Sequence, residues 1–452
     1  MSRCCITSIM ALGLCILSAT ASSAQSENDF VSEYSSFEAA GLIDAPLEQT
    51  SMVELIDYTL EDQPVENCSS FESACNYCSS NCGSNWFFNG WLSQGYTGNG
   101  YHPDSNFNTP MTFNDRADEY QMNQLYASVG KKIDQDCGSW DLGGRIDLLY
   151  GSDYFFLQSN GLETNANGTQ KWNGSGARNA GAAALYGLAL PQAYAEAFIP
   201  VGSGLTAKIG HFYTIMGYES PMATENFFYS HSYSMQYAEP FTHTGALFSY
   251  SPTTCLTLHG GITTGWNRFD SQNGEVGFLF GFQWDNDISS FAYTMHYGSE
   301  EPTGDENRFA YSMVYTRELG SCFSYVFQHD FGTEQNLKAT ASFASTDAYW
   351  YSFNQYLYYH HTKDLDLGIR AEWFADEDNA RVIGVPIAAS YEGHNYYEVS
   401  LGANWRPCRF TTIRPEVRYD WSDITPAGGQ GPFDDFKRKN QITYSFDVTI
   451  TF

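Results

Sequence analysis

From residue 86 to the C-terminus the chain alternates between apolar and polar positions with a period of two. The last segment shows it most plainly. Ile442, Tyr444, Phe446, Val448, Ile450 and Phe452 alternate with Thr443, Ser445, Asp447, Thr449 and Thr451. A period of two puts one set on each face of a β-strand. The same logic sets Leu365, Leu367, Ile369, Ala371 and Trp373 against Asp366, Gly368, Arg370 and Glu372. Sixteen strands are predicted: 86–96, 119–133, 139–151, 190–200, 205–217, 241–253, 255–266, 275–286, 289–300, 307–319, 322–332, 347–362, 365–376, 394–407, 410–423 and 441–452. The faces of 86–96, 119–133, 241–253 and 347–362 cannot be assigned from the pattern.

The connections alternate as well. Long ones cover 97–118, 152–189, 218–240, 267–274, 301–306, 333–346, 377–393 and 424–440. Tight ones lie around Asp134–Gly138, Val201–Gly204, Thr254, Asp287-Ile288, Gly320-Ser321, Lys363-Asp364 and Cys408-Arg409. One rim of tight turns and one of long loops predicts an all-β fold. It is a transmembrane antiparallel up-and-down β-barrel of about 16 strands, with short periplasmic turns and long extracellular loops. Closure pairs every backbone donor and acceptor, as hydrocarbon demands. A soluble sandwich also alternates, but it buries its apolar face and favours Val, Ile and Leu there. Here the apolar face often ends in an aromatic: Trp266, Trp284, Tyr297, Trp373, Trp405 and Trp421. Those positions fit aromatic girdles at lipid interfaces. The outer face is thus expected to meet outer-membrane lipid. The terminal Phe452 suits recognition by the barrel-assembly machinery.

Charge and composition sharpen this picture. The 452 residues carry 22 Lys+Arg against 52 Asp+Glu, a net charge of −30, which argues against nucleic-acid binding. Residues 1–24 have the parts of an export signal: Arg3, the apolar stretch ITSIMALGLCIL, and small residues before Gln25. Residues 25–83 form an acidic arm, partly disordered, with twelve acids and no Lys or Arg. Residues 84–452 are the barrel. The expected location is the outer membrane of a Gram-negative-type bacterium.

Several strings resemble the putative β-barrel porin 2, OmpL-like family. They include NGWLSQGYTGN (89–99), FNDRADEYQMNQLYASVGK (113–131), LPQAYAEAF (190–198), KIGHFYTIMGYE (208–219), NFFYSHSY (226–233) and AEWFADEDNARV (371–382). They spread over residues 86–452 and leave the arm uncovered. The resemblance implies an outer-membrane porin that passes small hydrophilic solutes or ions passively through a water-filled channel. It names no solute and transfers no functional residue. Homo-oligomers are compatible with it.

Side-chain parity nominates the lining. On the polar faces stand Arg145, Asp147, Lys208, His259 and His296. Strands thirteen to fifteen add Arg370, Glu372, Glu398, Arg406, Arg414, Glu416, Arg418 and Asp420. Arg370, Arg414 and Arg418 would form an arginine wall. Facing carboxylates on an infolded loop, it would set up a transverse field across the aperture. Neutral Arg–Glu pairing is the plainer alternative. The third long loop, 218–240, is the constriction candidate, being too hydrophobic to wave freely in water. Its named residues are Glu219, Glu225, Phe227, Phe228, Tyr229, His231, Tyr233 and Glu239.

Eight cysteines follow the signal. Cys68, Cys75, Cys78 and Cys82 lie in the arm, and Cys137, Cys255, Cys322 and Cys408 at tight turns. An exported chain makes disulfides the default. Those turns are roughly 20 Å apart, at ~4.8 Å per strand, so they cannot bridge one another. Either arm cysteines bridge to turn cysteines, or the arm forms a local knot. No metal or cofactor is expected. Motifs of hydrolases are absent, so no enzyme is expected. His231-Ser232, His211, His243, Glu219 and Asp330 are the residues to inspect for one. A structural or adhesive barrel is the other alternative.

Overall fold

The alternation in sequence becomes an alternation of burial in a computed structural model. It describes residues 85–135, 138–165, 168–173, 185–271, 274–300, 306–336, 347–382, 394–426 and 429–452. The expected signal, the acidic arm, Cys68, Cys75, Cys78, Cys82 and Cys137 lie outside the described residues.

Sixteen strands form: β1 (Trp86–Asn99), β2 (Glu119–Lys131), β3 (Asp141–Gly151), β4 (Gly187–Ile199), β5 (Leu205–Tyr213), β6 (Thr242–Thr253), β7 (Leu256–Thr263) and β8 (Gly277–Asn286). The second half is β9 (Ser289–Ser299), β10 (Asn307–Glu318), β11 (Phe323–Glu334), β12 (Ala348–Thr362), β13 (Leu365–Asp376), β14 (His394–Cys408), β15 (Thr411–Ser422) and β16 (Asn440–Thr451). Each pairs antiparallel with its neighbours, and β1 pairs β16, so the sheet is closed. Phe452 completes the seam: its N–H and C=O exchange bonds of 2.9 and 3.0 Å with Gly90. The fold is a transmembrane barrel with tight turns on one rim and long loops on the other. Among the described residues no helix is long and apolar enough to cross a membrane.

The exposed side chains are the apolar ones. On β13, β14 and β15, Ile369, Leu401 and Val417 stand side by side in register and all face outward. Gln441, Thr443, Ser445, Asp447 and Thr449 of β16 face inward and are buried, while Tyr444 and Phe446 are exposed. Water on this outer face would be wrong for so much contiguous apolar surface; hydrocarbon is right. Near the loop rim, Tyr397 and Trp421 stack at 5.2 Å on the outer face.

Three local departures from the expected pattern have structural causes. β5 stops at Tyr213 rather than running to 217: Thr214 already bonds Phe241 O (2.8 Å), and the chain turns inward through Gly217 at φ +87°. β7 stops at Thr263, and Gly265 at φ +127° turns Trp266 into the interior, where it is 2 % exposed. Trp266 is therefore no part of the lipid girdle. Its ring lies between Arg308 (4.8 Å) and Arg381 (5.2 Å) at the mouth. In β2 a bulge opposite Ser93 and Gly95 resets the parity, so Gln121 and Gln124 both face inward.

Replacing Leu401 by Arg puts a charge in the middle of the outer apolar band. It is expected to cost the membrane-inserted barrel about 2–4 kcal/mol, read by reversible denaturant unfolding in liposomes, with Leu401→Ile close to neutral.

Candidate functional site

The third long connection, residues 214–241 (loop 3), does not project from the rim. Between Phe212 and His243 only Tyr218, Thr224, Glu225 and Phe227 keep any appreciable exposure. A buried segment with no ladder of its own must find a partner for each peptide group. A 3-10 turn at Ala223–Glu225 and a π-helical turn at Ser234–Ala238 satisfy a few. The barrel wall supplies most of the others.

The arginines take the loop's carbonyls. Arg414 donates through Nη1 to Ala223 O (2.7 Å) and Asn226 O (2.6 Å). Arg370 donates to Ser230 O (2.8 Å), and Arg418 to His231 O (2.5 Å). The carboxylates take the amides. Glu416 accepts from the N–H groups of Tyr229 (2.9 Å) and Ser230 (3.0 Å). Glu372 accepts from Tyr233 N (2.5 Å) and Ser234 N (2.6 Å). Each arginine is held from behind by a wall carboxylate: Arg370 by Glu398 (2.5 Å), Arg414 by Asp447 (2.5 Å) and Arg418 by Asp420 (2.7 Å). The guanidinium fork suits this double duty, with one edge for the carboxylate and another for the loop.

Aromatic side chains of the loop sit over glycines of the wall. A Cβ on Gly95 would lie 2.7 Å from the Tyr229 ring, on Gly368 2.5 Å from Phe227, and on Gly402 3.0 Å from Phe228. The Phe228 ring also stacks under Arg370 at 4.9 Å. On the far side, Gln124 of β2 donates to Pro221 O (2.5 Å) and accepts from Ala223 N (3.1 Å). Tyr229 OH donates to Asn123 (2.8 Å), and Thr112 of the first long loop donates its N–H to Gln236 (2.6 Å). The cavity left there, lined by Ser93, Gln124, Tyr229 and Arg414 among others, is about 10 Å³. That is room for roughly one water.

An open aperture between an arginine wall and an acidic loop is therefore not what the geometry gives. Loop and wall are in contact, and the opposing charges are spent in ion pairs such as Arg370–Glu219 at 2.7 Å. Arg370, Glu398, Arg418 and Asp420 have no exposed surface. Glu225 and Phe227 stay half-buried at the loop's edge, whereas Phe228, Tyr229, His231, Tyr233 and Glu239 are buried.

The other lining candidates are placed individually. Arg145 pairs with Asp147 at 2.8 Å, and Tyr126 OH donates to Asp147 at 2.5 Å. Lys208 lies 4.4 Å from the centre of the Tyr194 ring. His259 is bonded to Ser249 (2.8 Å) and His296 to Thr263 (3.0 Å), and neither touches loop 3 by a hydrogen bond. Arg406 sits at the turn rim with Asp366 (2.6 Å) and is not part of the arginine wall. Asp447, Gln124, Gln236 and Ser230 are missing from the sequence candidates. Asp447 stood on the polar face of the last strand. The others carried no signal apart from being polar.

Of the turn cysteines, Cys322 is an exposed free thiol, and Cys408 donates through Sγ to Thr411 Oγ1 at 3.4 Å. Cys255 is disulfide-bonded, so the turn cysteines do not share one state. The residues singled out for a hydrolase do not assemble one. His231 Nδ1 faces Glu219 (3.1 Å), while Ser232 Oγ accepts from Met235 N (3.1 Å). His211 contacts Ser159 (3.2 Å), with Thr244 on its other nitrogen where a triad needs a carboxylate. Ser324, His360 and Asp366 do have the hydrogen-bond order of a triad, at 2.6 and 3.0 Å. Both oxygens of Glu318 lie at 2.8 and 3.0 Å from Ser324 Oγ, where they would oppose a developing oxyanion.

Burial alone would raise the Glu219 carboxyl, but Arg370 and His231 outweigh it and hold it down to about 2. The ionised form is thus favoured by docking. That share of stability is present above the ordinary 4.5 and is lost as pH falls from there towards about 2. Hydrogen exchange at residues 229–234 is expected to accelerate across that window, and Glu219→Gln is expected to remove this share of the pH dependence.

No curated protein matches the sequence. Among solved structures, the fold is similar to an anion-selective porin from Comamonas acidovorans, at 7 % identity and TM-score 0.54 over 82 % of this chain and 100 % of that one. It is also similar to Pseudomonas putida OprB, at 11 % identity and TM-score 0.50 over 81 % of this chain and 94 % of that one. Identities this low speak for the fold alone. The family described as "Putative beta-barrel porin-2, OmpL-like" matches residues 86–452. The chain belongs to that family of outer-membrane barrels.

Proposed function

We propose that this protein is a porin whose passage for small hydrophilic solutes and ions is narrowed by loop 3. The carrying observation is the loop itself, held inside a closed barrel by Arg370, Arg414 and Arg418 and by Glu372 and Glu416. Passive passage needs a polar lining and a constriction, and no covalent chemistry. The interior candidates supply the first and loop 3 the second. Export by residues 1–24, a periplasmic arm tethered through its cysteines, assembly through the strand ending at Phe452, and a homo-oligomer complete the proposal.

A sealed structural barrel is the second reading. The complete burial of Arg370, Glu398, Arg418 and Asp420 favours it. Planar-bilayer recording of the refolded chain separates the two. The porin reading expects small ohmic steps from the unmodified protein and larger steps from Arg418→Met, which unhooks His231 and leaves Asp420 without its arginine. Removing one partner of such a buried pair costs about 3–5 kcal/mol. Silence from both proteins supports the sealed barrel and ends the porin reading. A liposome-swelling series sets the size limit.

A further inference from the structure

Loop 3 ends its run inside the barrel at Glu239, and β11 places Asp330 beside it. Each side chain is 1 % exposed. Among the described residues neither is paired with Lys, Arg or His. That sets them apart from Glu219, Glu398, Asp420 and Asp447, which all have an arginine. Among the described residues their hydrogen-bond donors are neutral. Gln328 Nε2 bonds both carboxylates, and Ser352 Oγ donates to Asp330 at 2.7 Å. Two like charges buried in contact are not offset by two neutral donors.

Further oxygens line the same place. Ser312 on β10 lies directly across from Asp330 in register, and Ser352 on β12 lies across its other side. Asn354 follows Ser352 by one inward position on β12, and its Nδ2 donates to Tyr356 OH (2.7 Å). Asn354 Oδ1 and Glu239 Oε2 are buried and have no hydrogen-bond partner, and Ser312 Oγ lies against the Glu239 carboxylate. Buried polar atoms are rarely left so, and these, beside a second buried carboxylate, need an explanation. Behind them, Gly217 gives room: a Cβ there would lie within 2.0 Å of Glu239 Oε2.

We propose that Glu239, Asp330, Ser312 and Asn354 form a site for a hard divalent cation of the calcium class, which ties the end of loop 3 to β10–β12. All the ligand atoms are oxygens, and two are carboxylates, the chemistry that such ions prefer. No group of three or more His, Cys, Asp or Glu suited to a metal occurs among the described residues. The site is therefore a two-carboxylate one, completed by a hydroxyl, an amide oxygen and water. Without the ion, burial and the neighbouring Asp330 raise the Glu239 carboxyl well above the usual carboxylate range. A proton shared by the pair is accordingly the competing occupant.

The test uses the refolded full chain in detergent at pH 7.5, with Ca²⁺ as the probe in thermal unfolding and in titration calorimetry. Ca²⁺ is expected to raise Tm and to bind with Kd of roughly 10⁻⁴–10⁻³ M. Asp330→Asn and Glu239→Gln are expected to weaken binding at least tenfold, and Ser312→Ala several-fold. If the amide variants do not fold, Ser312→Ala decides alone. No Ca²⁺ response in the unmodified chain overturns the site, as does an equal response in the variants. A dependence on pH without one on Ca²⁺ also overturns it, in favour of the shared proton. None of these readouts requires conduction, so the result stands apart from the porin reading.

Discussion

A peptide segment can be stored inside a barrel only if its N–H and C=O groups find partners there. Loop 3 has no strand to pair with, and solvent is excluded where it lies. The interior face of β13–β16 answers this need with charged side chains that act as a substitute ladder. Arginines accept the role of donor to the carbonyls of 223–231, and glutamates receive the amides of 229–234. Charge-assisted bonds are the strong ones, and they replace the weaker backbone pairs that a free loop would make with water.

That constraint explains the rest of the interior. The arginines cannot stand unpaired in a dry layer, so each has a carboxylate behind it. The loop's aromatic rings need space, so glycines stand beneath Tyr229, Phe227 and Phe228. The closed sheet provides a rigid frame on which these partners keep their spacing, because lipid outside forbids any opening of the strand edges. Wall, loop and lipid thus support one another, while the sixteen-stranded ladder closes through backbone bonds that do not involve the arginine side chains.

The places where alternation failed in the sequence turn out to be informative. The faces of the first, second, sixth and twelfth strands were unreadable because their inner faces are apolar too. Trp91 of β1 stacks on Tyr126 of β2 at 4.0 Å inside the barrel. Leu247 of β6 and Tyr356 and Tyr358 of β12 are buried inward as well. Two of these strands hydrogen-bond loop 3 directly: β2 through Asn123 and Gln124, and β12 through Tyr356, which donates to Glu219, and Trp350, which donates to Ala238 O. A strand that greases both faces is one that meets lipid on one side and a stored segment on the other.

Strand number, the two rims and the outward set of side chains were legible in the chain itself. Contact with hydrocarbon acts on every residue locally, and it writes a period of two wherever it applies. That loop 3 is hydrophobic was legible for the same reason. What it binds was not. Glu416 meets Tyr229 across 187 positions, and Arg414 meets Ala223 across 191. No local pattern encodes such pairs, since any inward arginine reads alike whether it faces water or a carbonyl. Only the closed barrel, by fixing where the loop's two ends enter, decided which charges became anchors and which carboxylates were left without one.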